Sequence, residues 1–156
     1  MLDSDPWCFV LCALGQLPST HLPRWFSLQR PHLHSFLEEV HALGQLVIFT
    51  SATEEYALKL AGLLDPSGDR FMRVLSRSSC LEVQRGVYVK DLKQCGRSLA
   101  RTVLIDDTKT SFLLQPDNGL PISPFFGDHR DAALPGLLPA LQHLATLPDV
   151  SRTMHA

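Results

Sequence analysis

The stretch Thr102-Val103-Leu104-Ile105-Asp106-Asp107-Thr108 limits this chain more than any other. Four residues suited to a buried strand run directly into two adjacent carboxylates, and turn-forming residues follow. In an open parallel sheet, ligands gather beyond the carboxyl ends of the strands, where acidic side chains can hold a hard cation against a phosphate. A second apolar run, Gln45-Leu46-Val47-Ile48-Phe49, ends in Thr50-Ser51 and offers hydroxyls and a helix start to an anion.

The rest of the chain supplies elements that would carry such a sheet. Cys8 to Cys12 reads as a short buried strand, Gly15 to Leu22 as loop, and Pro23 to Gln29 as a connector anchored by Trp25 and Phe26. Pro31 is placed at a first helical position; Leu33, Phe36, Leu37, Val40 and Leu43 follow at helical spacing, and Gly44 closes the helix. Ser51-Ala52-Thr53-Glu54 has the form of a capping box opening a second helix through Leu64. Phe71 to Leu75 reads as a strand, and Leu81 to Val83 with Val87 to Val89 as a hairpin that ends just before Lys90. Polar turns lead to the acidic strand, and everything from Asp107 to Gly127 reads as irregular. A closing helix puts Leu137, Leu138, Leu141, Leu144 and Ala145 on one face, with Pro139 tolerable only in the first turn. Strands alternating with helices predict an α/β doubly wound fold in one domain over residues 1–156.

Composition excludes several functions. With 14 basic and 16 acidic residues in 156, and no dense run of Lys or Arg, nucleic-acid binding by phosphate neutralisation is not expected. Cys8, Cys12, Cys80 and Cys95 lack both disulfide density and paired zinc spacing, which fits a reducing intracellular compartment, cytoplasmic or nuclear. His32 and His34, two apart on a helix, cannot share a face as metal ligands. The apolar run Trp7 to Leu14 falls far short of the ~20 residues of a membrane span. Asp3 and Asp5 near the start, with no basic run, give no sign of a leader.

Taken in order, Arg30-Pro31, Val47-Ile48-Phe49-Thr50, Tyr88-Val89-Lys90-Asp91-Leu92, Ile105-Asp106-Asp107 and the run from Leu114 to Ile122 resemble a known domain. It is the phosphatase domain of the RNA polymerase II carboxy-terminal-domain phosphatases, also called the NLI-interacting-factor-like domain, of the haloacid dehalogenase superfamily. The resemblance spans roughly Arg30 to the C-terminus, leaving residues 1–29 divergent or truncated. It implies a mainly parallel sheet with a small hairpin insertion, and hydrolysis of phosphoserine or phosphothreonine in proteins through an aspartyl-phosphate. It also implies Thr50 and Lys90 as phosphate ligands, Arg77 facing substrate, and Asp106 with Asp107 holding Mg²⁺. Singly, Thr50 reads as well as a helix cap, Lys90 as a solvated lysine and Arg77 as a surface charge.

The family's chemistry begins at a strand-end Asp-x-Asp-x-Thr, and here the pattern departs. Laying Phe9-Val10-Leu11 on the strand puts Cys12 and Leu14 at the aspartate positions and Gln16 at the threonine. A rival placement uses Asp3 and Asp5, with Trp7 as the threonine and almost no strand before it. An aspartyl-phosphate needs a carboxylate in line with phosphorus, and leucine cannot donate a proton to the leaving oxygen. Cys12 would be a nucleophile only by unrelated chemistry, with nothing adjacent to form its thiolate. A related branch with a weakened signature, the receptor subunit of the mitochondrial presequence translocase, gives the alternative of a peptide-binding module without catalysis. That alternative would place the protein in mitochondria if the N-terminus is truncated. The expected partner in either case is a phosphorylated or unstructured protein segment.

Overall fold

The structure, a computed structural model, describes residues 5–12, 15–16 and 28–152. Trp25, Phe26, Asp3 and Leu14 lie outside the described residues. In chain order the elements are β1 Cys8–Leu11, β2 Gly15–Gln16, β3 Leu28–Gln29, α1 Leu33–Leu43, β4 Gln45–Phe49, α2 Glu54–Leu64 and β5 Phe71–Leu75. They continue with β6 Leu81–Gln84, β7 Val87–Val89, β8 Thr102–Asp106, β9 Gly119–Pro121 and α3 Ala133–Leu144.

Five strands form the central sheet in the order β5-β4-β1-β8-β9, every pair parallel. Leu11 pairs with Ile48 on one side and Ile105 on the other, so the three inner strands end level. Alternation along these strands sends side chains to opposite faces. Phe9, Leu11, Leu46, Ile48, Val103 and Ile105 join one core, where α1 contributes Leu33, Phe36, Leu37 and Val40 and α3 contributes Leu134, Leu141 and Leu144. Cys8, Val10, Val47, Phe49 and Leu104 face the other core. That second face is covered by Leu92 and Cys95 of the 3₁₀ turn Leu92–Cys95, with Leu99 and Phe112 alongside, rather than by α-helices. Burial on both faces explains the unbroken apolar runs. A truncation such as Phe36→Ala would cost about 3–5 kcal/mol, since Phe36 is 1% exposed.

Several boundaries differ from the sequence reading. Gly15–Gln16 and Leu28–Gln29 are not loop and connector but pair as an antiparallel ladder. Pro31 is not helical: α1 begins at Leu33, and His32 caps it from the left-handed region at φ 65°. Pro31 and His32 form a turn directly after Arg30, whose side chain is fixed. Its guanidinium donates to both Asp131 oxygens at 2.8 and 2.9 Å and to the Ser123 carbonyl at 2.7 Å. The cap of α2 is Thr53, whose hydroxyl accepts from Tyr56 N–H at 3.5 Å, not Ser51. The preceding residues form their own turn, with Thr50 Oγ1 accepting from Ala52 N–H at 3.1 Å. Pro139 lies inside α3. It is exposed, so water can satisfy the helix carbonyl that its missing N–H leaves over.

The stretch read as irregular holds β9, an edge strand where Pro121 is acceptable because one side of the strand needs no ladder partner. The hairpin β6–β7 forms as expected. Gly44 joins α1 to β4 against Trp7, whose carbonyl accepts from Gln45 N–H at 2.7 Å; a Cβ on Gly44 would collide with that carbonyl. No helix among the described residues is long and apolar enough to cross a membrane.

Candidate active site

The chain runs from β1 outward through β4 to β5, then crosses to β8 and β9 on the other side. The order of strands therefore reverses between β1 and β8, and the crevice beyond their carboxyl ends is where such sheets take ligands. The strand register puts Cys12 and Asp106 side by side there, one residue past the pairing of Leu11 with Ile105. Cys12 N–H donates to the Ile105 carbonyl at 3.1 Å.

Lys90 enters from the end of β7 and is 3% exposed. Its ammonium donates to Asp106 Oδ2, to Cys12 Sγ at 2.9 Å and to Ser111 Oγ at 3.3 Å. An ammonium carries three protons, so these three acceptors use its capacity. Ser111 is a residue that sequence reasoning missed. It is buried in the 3₁₀ turn Lys109–Phe112, and its carbonyl also accepts from Lys90 N–H at 3.4 Å. Only its place in the turn after Asp106-Asp107 could have pointed to it. Asp106 is fully buried and accepts on its other oxygen from Thr108 N–H at 2.9 Å.

Electrostatics follow from this packing. Burial pushes the Cys12 thiol up to about 12, against the downward pull of Lys90. Cys12 is accordingly a thiol at neutral pH. Burial alone would draw the Lys90 ammonium down, but Cys12 and Asp106 beside it hold it above the ordinary lysine value. With Cys12 protonated, the Asp106 carboxylate is the charge that keeps Lys90 ionised. A buried pair of this kind costs desolvation that the Coulomb attraction and the extra hydrogen bonds must offset, so removing one partner is expensive.

The other expected residues lie in a second network. Thr50 sits one step past β4; its hydroxyl is engaged by Ala52, and its carbonyl accepts from Cys80 Sγ at 3.7 Å. Arg77 is exposed, donates from Nε to the Ser51 carbonyl at 2.8 Å and lies over the Tyr88 ring at 5.4 Å. Arg77 thus joins the turn after β4 to the hairpin, and its described contacts do not include Lys90. Burial raises the Cys80 thiol, with Lys90 and Arg77 pulling it down, and its contacts to the Thr50 and Ser76 carbonyls place it in the second network. Asp107 is exposed and accepts from Thr108 Oγ1 at 3.1 Å. Asp5 precedes β1, and its carbonyl accepts from Arg101 at 3.1 Å. It therefore lies at the end of the sheet where the strands begin, about 13 Å of strand away from the Lys90 crevice.

Mg²⁺ keeps several waters and takes only one or two carboxylates from a protein, which here would be Asp106 and Asp107. Beside Asp106 stands a sulfur, both Asp106 oxygens already accept hydrogen bonds, and Asp107 is the remaining carboxylate of the pair. Among the described residues no group of three or more His, Cys, Asp or Glu could hold a metal ion.

Comparison with known proteins matches residues 14–151 to the family of NLI interacting factor-like phosphatases. The chain is 41% identical over 160 residues to the CTD small phosphatase-like protein 2 of Dictyostelium discoideum, covering 96% of this chain and 28% of that protein. It is 38% identical over 125 residues to the human carboxy-terminal domain RNA polymerase II polypeptide A small phosphatase 1, covering 80% of this chain and 47% of the relative. The chain thus spans between about a quarter and a half of the length of these relatives. Among solved structures, a variant of the fission yeast RNA polymerase II CTD phosphatase Fcp1 bound to beryllium fluoride shares the fold. Its TM-score is 0.59 at 18% identity, over 96% of this chain and 53% of that one. A second Fcp1 structure aligns with TM-score 0.52 at 25% identity, over 81% of this chain and 36% of that chain. The strand-end crevice, the hairpin-borne lysine and these matches lead to one assignment: the chain belongs to the NLI interacting factor-like phosphatase family.

Proposed function

We propose that this chain is a phosphatase-family domain that has lost turnover and retains the fold to bind phosphorylated or unstructured protein segments. One observation carries the proposal: Lys90 spends its protons on Cys12, Asp106 and Ser111 at the crevice where a phosphoryl group would be received. Hydrolysis through an acyl-phosphate needs a carboxylate at the end of β1 and an acid two residues on. Cys12 offers a protonated sulfur, and leucine at position 14 has no proton to give. A half-buried thiol pushed up to about 12 is not an alternative nucleophile at neutral pH. The Thr50 and Ser51 hydroxyls and the Arg77 guanidinium put polar groups and positive charge at the same edge, which suits a phosphorylated segment.

The test is hydrolysis of an activated aryl phosphate with Mg²⁺ by the purified chain, beside Cys12→Asp with Leu14→Asp and beside Asp3→Asn. The unmodified chain is expected to match a protein-free control, and the double replacement to exceed it by orders of magnitude. Mg²⁺-dependent activity in the unmodified chain that disappears with Asp3→Asn would overturn the proposal, because the nucleophile would then lie elsewhere.

A further inference from the structure

Beside the Thr50 network, an open cleft of about 280 Å³ lies between the start of β6, the turn after β5, the 3₁₀ turn Leu92–Cys95 and the loop after Phe112. Leu81 and Leu114 form apolar walls, Ser78, Ser79 and Gln94 supply polar groups, and Asp91 is the one lining residue that carries a charge. Cys80, also in the lining, is held neutral by burial. Asp91 receives Lys93 N–H at 3.0 Å and the Gln115 amide at 2.8 Å, both on Oδ1. Among the described residues no donor reaches Oδ2. The carboxylate is therefore fixed in place by one oxygen while the other remains available.

We infer that this cleft receives a lysine or arginine side chain of an extended peptide segment belonging to a partner protein. A long basic side chain lays its aliphatic stem on apolar surface and carries its charge at the tip, which matches leucine walls around a carboxylate and hydroxyls. An acidic occupant would meet the Asp91 charge, and a purely apolar one would strip water from the carboxylate without replacing it. The strand above the cleft favours an extended backbone. β6 pairs only with β7 among the described residues, and all four of its residues are exposed, with Leu81 and Val83 alternating along it. An open edge of this kind accepts an added strand by main-chain hydrogen bonding while a side-chain pocket supplies selectivity. The Cys80 contact to the Thr50 carbonyl places the cleft next to the edge proposed for phosphorylated segments, but the inference stands without that reading.

The experiment is NMR titration of the ¹⁵N-labelled chain with a short peptide of alternating valine and threonine that carries one central lysine, against the same peptide with norleucine. Asp91→Asn is the matched variant, because asparagine keeps the oxygen that fixes the loop and loses only the charge. Shifts are expected at Ser78 to Leu81, Asp91, Gln94 and Leu114, with Kd weakened about fivefold or more by norleucine and by Asp91→Asn. Equal affinity of the two peptides, undiminished binding to Asp91→Asn, shifts confined to other surfaces, or no binding would overturn the inference. A phosphoserine peptide lacking lysine, read at the Thr50 to Ala52 amides, reports on the proposed function separately, so either can fail alone.

Discussion

Replacing Asp131 by alanine should show how strongly the loop before α3 depends on one buried charge. Arg30 has a side chain with no exposure and Asp131 is 15% exposed; two hydrogen bonds of 2.8 and 2.9 Å join them. The Ser123 carbonyl at 2.7 Å, the Ser123 hydroxyl at 3.2 Å and the Phe125 ring at 5.6 Å remain in the variant. They satisfy part of the guanidinium but supply no opposite charge. Breaking a buried pair costs about 3–5 kcal/mol, and the surviving contacts place this case near the lower figure. For a chain of this size that is a fall in Tm of roughly 10 °C. Urea unfolding at pH 7 measures the loss, and Arg30→Met with Asp131→Leu, which removes both charges, should recover much of it. The pH dependence has a definite sign. Hydrogen bonding from Arg30 lowers the Asp131 carboxyl below its ordinary value of 3.8. Its contribution is therefore complete above that value and is lost as pH falls through the lower folded one. The difference between the natural chain and Asp131→Ala should accordingly shrink in acid below about pH 4. A loss under about 1 kcal/mol at pH 7 would refute the reasoning, because that is the range of a surface pair.

Other outcomes follow from the same geometry. Gly44→Ala should destabilise by about 1–3 kcal/mol in urea, since the added methyl meets the fixed Trp7 carbonyl rather than a movable side chain. Lys90→Met should lower stability more than Lys59→Met, because Asp106 is fully buried and Lys90 is its cation, whereas Lys59 pairs with Glu55 on the exposed face of α2. Iodoacetamide at pH 7.5 should label Cys12 more slowly in the folded chain than in urea, read by peptide mass mapping; equal rates would contradict a half-buried thiol kept protonated beside Lys90.

Much of the sheet is legible because its inner strands are buried on both faces and so appear as uninterrupted apolar runs at Cys8–Leu11, Gln45–Phe49 and Thr102–Asp106. The helix Leu33–Leu43 is equally plain from Leu33, Phe36, Leu37 and Val40. β9 is not legible, since Gly119-Leu120-Pro121 has little strand preference and is made a strand by its neighbour β8. The start of α2 at Thr53 is not legible either, since Thr50 takes Ala52 N–H, a choice that local pattern does not reveal. Lys90 and Asp106, which meet in the structure, could be named from ordered motifs along with Thr50, which lies in the second network, whereas Ser111 and the Lys90 to Cys12 contact join residues 21 and 78 apart in the chain. Arg30 carried part of the resemblance, but its structural task depends on Asp131, 101 residues away, and no spacing rule links them.

The proposed loss of turnover is tested most directly by ¹⁹F NMR of the chain with beryllium fluoride, which forms a stable adduct on a carboxylate positioned as a phosphoryl acceptor. The account predicts only free fluoride species with the natural chain, because Cys12 presents a thiol beside an occupied Lys90, and a bound resonance once Cys12→Asp restores the carboxylate. A bound resonance in the natural chain that persists in Cys12→Ser would contradict it.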